Sequence, residues 1–361
     1  MTAQLLNEVD LVHKLQQRVK EAYVFPDVAE EICRRLQSHL ESGDYADMPD
    51  GETLALALTY HLQEVNHDEH LWVRYHQESL PEDDGALRMN SEWQEEQRLE
   101  AGLDNFGFHK VERLPGNIGY LDIRYFHQPA WGGETATAAM TFLARTDALI
   151  IDLRKCPSGY PGMVALVATY LFDEDPVHLS SIYWRDDDFT RQYWTLPYAP
   201  GRRYGDKPIY VLTSRGTFSA GEEFAAILQA RKKATVIGDK TDGGFHPGTS
   251  YRLDPHFELF IPIGRAFSPL TGKDLEGIGV IPDIAVPQEQ AFQAAYHRAL
   301  HQVIADLAGA GSGPHGALLK EAQTALKELE AGQKICQKCG YTNPVYRSRC
   351  KNCDEPLNEV G

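Results

Sequence analysis

The stretch Tyr210-Val-Leu-Thr-Ser-Arg-Gly-Thr-Phe-Ser219-Ala-Gly-Glu-Glu-Phe224 decides the fold class of this 361-residue chain. It begins in an apolar run, Ile209–Thr213, typical of a strand covered on both faces, and it continues into a helical pattern from Ala220 to Arg231. Similar patterns recur along the chain, with strands at 118–126, 148–153 and 234–238 and helices at 135–145 and 163–171. This alternation predicts an α/β domain with a largely parallel sheet, which strands at 257–262 and 277–286 should complete.

Ser219 stands where the buried strand ends and the helix begins. The first N–H groups of a helix have no partner within it, and the helix dipole places positive charge there, so an oxyanion is stabilised at such a turn. A serine in this position can act as a nucleophile with oxyanion stabilisation already present. The alternative is that Ser219 only caps the helix N-terminus, a role that serine commonly fills.

The loop Asp152–Gly162 follows another buried strand. Ligands of open α/β sheets bind beyond the carboxyl ends of strands, so we expect this loop and the Ser219 turn to face one cleft. Gly159 could present its N–H to a substrate oxygen there, or it could simply form a glycine-rich turn. Cys156 has no evident partner base, and we interpret it as a buried structural thiol.

Several polar stretches contain candidate acids and bases. His67 and His70 end the N-terminal part of the chain, and histidine is the natural general base near neutral pH. The two could also suggest a metal site, although a third ligand at ordinary spacing is missing. His246 and Glu276 each lie in a glycine-rich loop that is not specific on its own.

Composition and periodicity divide the chain into five regions. Apolar residues at steps of three and four predict three helices, so residues 1–76 are interpreted as a helical bundle. Residues 77–104 are polar and acidic, and we expect them to form an irregular connection to the α/β core, 105–305. Residues 306–333 are predicted to form a flexible linker and a polar helix, and residues 334–361 form a separate module.

Four of the six cysteines fall in this last module, at the spacing Cys336-x2-Cys339-x10-Cys350-x2-Cys353. Two paired knuckles favour one tetrahedral Zn²⁺ held by four thiolates over disulfides, and the cysteine usage indicates a reducing compartment. The zinc would be structural, one per chain, because so short a module cannot build a core of its own. The module resembles the bacterial zinc ribbon. Its spacing also resembles RanBP2-type fingers, and its basic charge permits an RNA or protein partner.

The net charge of the chain is −17, which disfavours duplex nucleic acid as a partner of the main body. The mainly apolar stretch Val164–Phe172, which includes Thr169, has nine residues, far short of the roughly 20 needed to cross a bilayer, so we expect no membrane partner. The N-terminal residues have neither a basic start nor an apolar signal core, and we therefore expect a cytoplasmic protein.

Six stretches in order carry a family resemblance. They are Glu21-Ala-Tyr-Val-Phe-Pro26, Asp68-x-His70-Leu71, Ile118-Gly-Tyr-Leu-Asp-Ile-Arg124, Ile151-Asp-Leu-Arg154, Thr213-Ser-Arg-x-Thr-Phe-Ser219-Ala-x-Glu222 and Glu276-Gly-x-Gly-Val-x-Pro-Asp283. Together they resemble the tail-specific, or C-terminal processing, serine peptidase family, over about residues 8 to 288. The nearest branch contains the modules of interphotoreceptor retinoid-binding protein and the core of tricorn protease. The resemblance implies a ClpP/crotonase-like α/β peptidase core that follows the N-terminal three-helix bundle. The small zinc ribbon, predicted independently from its cysteine spacing, follows this core.

The resemblance also implies roles for individual residues. Ser219 matches the nucleophile, His70 matches the base of the tricorn-like branch, and Glu276 matches the acid that orients the catalytic groups. Gly159 and the backbone of Ala220 match the oxyanion-hole positions. The implied function is that of a cytoplasmic serine-type endopeptidase acting on peptides or proteins.

The chain also departs from the family pattern. Many members use a Ser–Lys dyad, with the lysine in the loop that reads Gly243-Gly244 here. Without a lysine, a histidine-based triad is favoured, with His246 as the competing candidate for the base. No PDZ-like insert is evident, so selectivity for C-terminal tails is not implied. Two other functions stay open: a non-catalytic lipid- or peptide-binding module of the same fold, and an adaptor that acts through its zinc ribbon.

Overall fold

The computed structural model of the chain describes residues 8–81, 91–272, 274–331, 333–335, 342–344, 349 and 355–356. The helices are α1 Glu8–Ala22, α2 Pro26–Glu41, α3 Gly51–Gln63, α4 Ser91–Leu103, α5 Pro129–Leu143, α6 Pro161–Thr169, α7 Ala220–Ala230, α8 Gln288–Asp306 and α9 Pro314–Ala331. The strands are β1 Trp72–Tyr75, β2 Phe108–Leu114, β3 Ile118–Ile123, β4 Ala148–Asp152, β5 His178–Trp184, β6 Phe189–Trp194, β7 Ile209–Thr213, β8 Thr235–Gly238, β9 Gly248–Asp254, β10 Phe257–Pro262, β11 Gly264–Phe267, β12 Ile284–Ala285, β13 Gln333–Ile335 and β14 Thr342–Pro344. Within these described ranges, no helix combines the length and the apolar character needed to span a bilayer.

A six-stranded sheet forms the centre of the α/β region, in the order β12-β8-β7-β4-β3-β2. Its strands are parallel except for β2, which pairs antiparallel with β3 at one edge. Helices α5, α6 and α7 pack on one face and α8 and α9 on the other, so β4 and β7 are buried along their whole length. Two smaller antiparallel sheets have the orders β1-β10-β9 and β11-β5-β6. The predicted mixed α/β fold is confirmed.

Two predicted stretches have a different structure. The expectation of an irregular connection over 77–104 is wrong for Ser91–Leu103, which form α4. The Glu, Gln, Arg and Leu residues of this helix are strong helix formers even without a regular apolar stripe. The strand expected at 277–286 is only β12. Before β12 the chain turns through Gly277 at φ 67°, and the Gly277 N–H donates to the carbonyl of Gly243 instead of to a strand.

The N-terminal helices share their core with strands from much later in the chain. β1 pairs antiparallel with β10, with Trp72 opposite Phe260, and β10 pairs with β9. Leu259 and Ile261 of β10 are fully buried in the same apolar cluster as Leu15 of α1. The N-terminal helical region is therefore present, and a hairpin of the later sequence completes its core.

The predicted zinc ligands lie outside the described residues. These are Cys336, Cys339, Cys350 and Cys353. The described part of this module is the antiparallel pair β13–β14 together with a bridge between Arg349 and Pro356. The zinc ribbon stays a prediction.

Replacing Leu259 by alanine should destabilise the N-terminal helices as well as β10. The leucine is 0% exposed, and removing such a side chain costs about 2–5 kcal/mol of unfolding free energy. Urea unfolding measures the total loss, and hydrogen exchange of the backbone amides of α1–α3 shows where the loss falls.

Leu56 supplies the matched control because it is 67% exposed on α3. Leu56→Ala should change the unfolding free energy by less than about 0.5 kcal/mol. Amide exchange in α1–α3 that stays at the wild-type rate in Leu259→Ala would contradict a shared core.

Candidate active site

Ser219 occupies the turn between β7 and α7. Its backbone has φ 51° and ψ −118°, a conformation that is costly for a residue with a Cβ and persists only where the surroundings enforce it. Its N–H donates to Glu222 Oε2 at 3.0 Å, in the first turn of the helix. Ser219 is therefore at the N-cap position, but with a strained backbone that an ordinary cap does not need.

The loop after β4 is held against this turn. Thr217 Oγ1 donates to Leu153 O at 2.8 Å, and Phe218 N donates to Cys156 O at 3.0 Å. Gly221 permits the approach, because a Cβ there would come within 2.6 Å of the Cys156 carbonyl oxygen. Cys156 itself is fully buried, and burial raises the pKa of its thiol, so the thiol is not available as a nucleophile. The loops at the carboxyl ends of β4 and β7 thus meet.

The backbone N–H groups of Gly159 and Ala220 are not used in the secondary structure of their own segments. Gly159 forms a parallel bridge with Phe126, and a Cβ at position 159 would overlap Phe126. The two hydrogen bonds of this bridge use the carbonyl of Ser158 and the amide of Tyr160. Ala220 is the first residue of α7, so its N–H has no acceptor within the helix. Both amides can therefore donate to a ligand.

His70 lies against the Ser219 turn. The centroid of its ring is 4.7 Å from that of Phe218, the residue before Ser219. Its backbone N–H donates to Asp68 Oδ1 at 3.1 Å. The side chain is 8% exposed, and its Nδ1 is buried with no hydrogen-bond partner in the described part of the chain. The fold thus brings a histidine of the N-terminal region to the serine of the α/β region.

Glu276 uses its two carboxylate oxygens differently. Oε2 accepts the backbone N–H groups of Phe245 and His246, and these bonds hold the carboxylate in place. Oε1 is buried, has no hydrogen-bond partner among the described residues, and lies 3.9 Å from His70 Nδ1. That separation exceeds hydrogen-bond reach by less than about 1 Å. A small adjustment would join the two unpartnered atoms.

Glu222 holds the glycine-rich loop beside His70. Its buried carboxylate accepts the N–H groups of Gly243 and Gly244, both at 2.8 Å, in addition to the amide of the candidate nucleophile. Burial raises the pKa of this carboxyl, and the hydrogen bonds oppose the rise. A Cβ at position 244 would overlap the ring of Phe218 and lie 2.6 Å from His70 Cε1. A lysine at position 244 would therefore clash with His70 in its present position.

His246 is buried among carboxylates. Its Nδ1 lies 2.9 Å from Asp68 Oδ2 and 3.6 Å from Glu276 Oε2, and its Nε2 lies 3.0 Å from Asp274 Oδ2. Burial opposes protonation of the ring, but the hydrogen bonds and the negative charges outweigh it and raise the pKa of His246 to about 10. At neutral pH this residue is an imidazolium with both nitrogens engaged, so it is not free to accept a proton.

Asp68 connects this cluster to the N-terminal region. Its Oδ2 accepts the hydroxyl of Tyr23 at 2.8 Å, while its Oδ1 accepts the amide of His70. Burial alone would raise the pKa of Asp68, but the hydrogen bond and charge of His246 hold it below its usual value. One carboxylate thus fixes His70, His246 and the chain that follows α1.

Sequence reasoning does not reveal the roles of Glu222, Asp68, Asp274 and Tyr23. The spacing Ser219-x-x-Glu222 is that of a helix capping box, and this signal could have identified the glutamate. The other three bind partners from distant segments, and no local spacing indicates such a contact.

Raising the pH should remove the stability that His246 contributes. The pKa of an unfolded histidine is about 6.5, whereas in the fold that of His246 is raised to about 10. The folded state therefore binds the proton more tightly, and this stabilisation is complete below about pH 6.5 and is lost as the pH rises through about 10. Urea unfolding should show the difference in unfolding free energy between wild type and His246→Gln shrinking across that window.

The control is His13→Gln, because His13 is exposed on α1. As a substitution at an exposed position, it should change the unfolding free energy by less than about 0.5 kcal/mol. A difference for His246→Gln that does not vary with pH would contradict the assignment of His246 as an imidazolium.

Two family models match the chain. The model described as peptidase family S41 matches residues 117–286, which include Ser219 and Glu276. The model described as the N-terminal domain of Peptidase_S41 in eukaryotic IRBP matches residues 6–109, which include His70. The matched regions are the two that meet at the Ser219 turn. The branch within the family stays a prediction.

Curated relatives match about half of this chain. A carboxy-terminal-processing protease of Bartonella bacilliformis is 29% identical over 180 residues, which are 49% of this chain and 40% of that protein. A carboxyl-terminal-processing protease of a Synechocystis species is 26% identical over 175 residues, which are 48% of this chain and 39% of that protein. The chain therefore spans about two fifths of the length of these relatives.

Solved structures share the fold at low sequence identity. A lipoprotein from Streptococcus agalactiae has a TM-score of 0.53 at 14% identity, over 84% of this chain and 100% of that chain. The tricorn protease has a TM-score of 0.51 at 14% identity, over 90% of this chain and 37% of that chain. These two likenesses show the fold, and the family models and the curated relatives show the ancestry. Over residues 6–109 and 117–286, which the two family models match, the chain belongs to peptidase family S41.

Proposed function

We propose that the chain is a serine-type endopeptidase that hydrolyses peptide bonds in peptide or protein substrates through a Ser–His–Glu triad. Ser219 is the nucleophile, His70 is the general base, and Glu276 orients His70. The amides of Gly159 and Ala220 form the oxyanion hole. The names of the curated relatives, carboxy-terminal-processing proteases, support this class of reaction.

Each residue has a defined task in the proposed reaction. His70 takes the hydroxyl proton of Ser219 as Oγ attacks the substrate carbonyl carbon, and Glu276 Oε1 accepts the Nδ1–H of the imidazolium that results. The two amides stabilise the oxyanion. His70 then returns the proton to the leaving amine, and a water molecule activated in the same way hydrolyses the acyl-enzyme.

One observation carries the proposal: His70 Nδ1 and Glu276 Oε1 face each other 3.9 Å apart, both buried and both unpartnered within the described ranges. Buried polar groups without partners are uncommon and costly, so such a facing pair suggests a bond that forms at another stage. Catalytic hydrogen bonds are often long before substrate binds. The competing base, His246, is engaged on both of its ring nitrogens.

His70→Ala should lower the hydrolysis of casein or of a fluorogenic peptide library by about 10²- to 10⁴-fold, because it removes the general base. A serine-directed fluorophosphonate probe should label the wild type, and Ser219→Ala should abolish that labelling. Both variants should retain the wild-type thermal melting temperature to within a few degrees, which separates lost chemistry from lost folding.

His67→Asn is the matched control. His67 lies in the same loop at φ 55°, a conformation that asparagine tolerates, so the variant should keep near wild-type turnover. Near-normal turnover in His70→Ala would overturn the assignment of the base. Wild-type protein that resists the probe and binds fatty acid or retinoid would instead favour the non-catalytic binding module.

We also propose that the terminal module holds one structural zinc ion per chain. Four thiolates fill the tetrahedral shell of Zn²⁺ and leave no position for substrate. Metal analysis of purified protein should find one zinc per chain, and Cys336→Ser should reduce that content. Cys33→Ser, which changes a buried cysteine of the body, should leave the zinc content unchanged. Undiminished zinc in Cys336→Ser would contradict the site.

A further inference from the structure

A cavity of about 230 Å³ runs along α7. Its walls are mostly apolar, and one buried carboxyl group interrupts them. The residues that define it come from α7, from β5 and from the two loops that hold the candidate base: Glu223, Ile227, Leu179, Ser180, Phe245 and Leu275.

The cavity begins one helical turn from the candidate nucleophile. Glu223 N donates to the carbonyl of Ser219 at 2.9 Å, so the two residues lie four positions apart on one face of α7, about 6 Å along the helix axis. Phe245 follows Gly244, the glycine against His70, and Leu275 precedes Glu276. A substrate residue bound at Ser219 therefore has this cavity next to it.

One carboxylate oxygen of Glu223 has no hydrogen-bond partner within the described ranges. The residue is 8% exposed, and its Oε1 is buried with no hydrogen-bond partner in the described part of the chain. The hydroxyl of Ser180, on the same cavity wall, is also buried and unpartnered. Burial raises the pKa of Glu223 to about 7, and the nearby Ser180 hydroxyl opposes part of that rise. Such groups are costly unless a ligand completes their hydrogen bonds.

Arg231 also lines the cavity, at the end away from Glu223. Arg231, the residue that follows the last residue of α7, is eight positions after Glu223, which is about 12 Å along the helix axis. Its Nη2 donates to the carbonyl of His178, and burial lowers the pKa of its guanidinium. Since Glu223 Oε1 has no hydrogen-bond partner within the described ranges, it is left for a cation from outside the chain.

We propose that this cavity is a specificity pocket that takes the lysine side chain of a substrate residue next to the scissile bond. The apolar walls accommodate the four-carbon stem of lysine, and the ammonium group donates to Glu223 and Ser180 at the inner surface. An apolar side chain would leave both polar groups unsatisfied, and an acidic one would meet a like charge. The proposal rests on the proposed peptidase function.

The test compares internally quenched peptides that differ at one position, which carries lysine, norleucine or glutamate. Norleucine retains the stem of lysine without the charge. Wild type should cleave the lysine peptide with kcat/KM about tenfold or more above that of the norleucine peptide, and the glutamate peptide most slowly. Two series of peptides are compared, one varied at the residue before the scissile bond and one at the residue after it. The series that shows the preference for lysine identifies the residue that enters the cavity.

Two variants isolate the carboxyl group. Glu223→Leu should abolish or invert the preference for the lysine peptide over the norleucine peptide, because it removes the carboxylate that pairs with the ammonium group. Glu223→Gln keeps the shape of the side chain and a hydrogen-bond acceptor. It should reduce the preference for lysine and retain the wild-type melting temperature, so it serves as the test if Glu223→Leu does not fold. Glu134→Leu, an exposed glutamate of α5, is the matched control and should keep the wild-type preference.

Binding separates failure of the pocket from failure of the proposed function. Fluorescein-labelled versions of the same peptides are titrated into Ser219→Ala and into Ser219→Ala/Glu223→Leu, with anisotropy as the readout. If wild type cleaves no peptide but lysine binding depends on Glu223, the pocket stands and the peptidase function fails. If wild type cleaves peptides without a preference for lysine, or Glu223→Leu keeps that preference, the pocket assignment is overturned and the function stands.

Discussion

The buried cation of His246 is the interaction on which the candidate site depends. Three carboxylates from two segments far apart in the sequence converge on its ring, Asp68 from one and Asp274 and Glu276 from the other. Without a positive charge among them, these closely spaced carboxylates would repel one another, and the fully buried Asp68 would carry a large desolvation cost. Asp68 also binds the amide of His70, and Glu276 also faces its ring, so the same cation sets the position of the candidate base.

Three glutamates around the N-terminus of α7 differ in how completely they are hydrogen-bonded. Glu222 accepts three backbone N–H groups and braces the nucleophile turn against the glycine-rich loop. Glu276 is saturated on one oxygen and open on the other, whereas Glu223 has an oxygen with neither a donor nor an ion pair within the described ranges. A carboxylate whose oxygens are all hydrogen-bonded, such as Glu222, holds the structure together. One with an unpartnered oxygen, such as Glu276 or Glu223, is left for chemistry or for a ligand.

The histidine and the serine reach each other because the chain returns on itself. Helices α1–α3 have their own apolar cluster, yet the β9–β10 hairpin supplies part of it and pairs with β1, which directly follows His70. That hairpin begins two residues after His246. The segment from His246 to the end of β10 therefore connects the apolar cluster of α1–α3 to the candidate site. The candidate active site therefore lies where the N-terminal helical region and the α/β region meet, and both regions contribute residues to it.

Local pattern was enough to predict α1–α3, α7 and the buried strands β4 and β7, because apolar periodicity and apolar runs are properties of neighbouring residues. It was also enough to single out Ser219, His70, Glu276 and Gly159 as candidates, through turn chemistry and family resemblance. It could not predict that residues 277–283 form a loop, since the hydrogen bonds of that loop go to Gly243 and Thr241. Only the tertiary structure decided that both ring nitrogens of His246 are hydrogen-bonded, whereas His70 Nδ1 and, in the cavity, Glu223 Oε1 have no partner within the described ranges. Protonation and hydrogen-bond saturation depend on charges and donors contributed by segments far apart in the sequence.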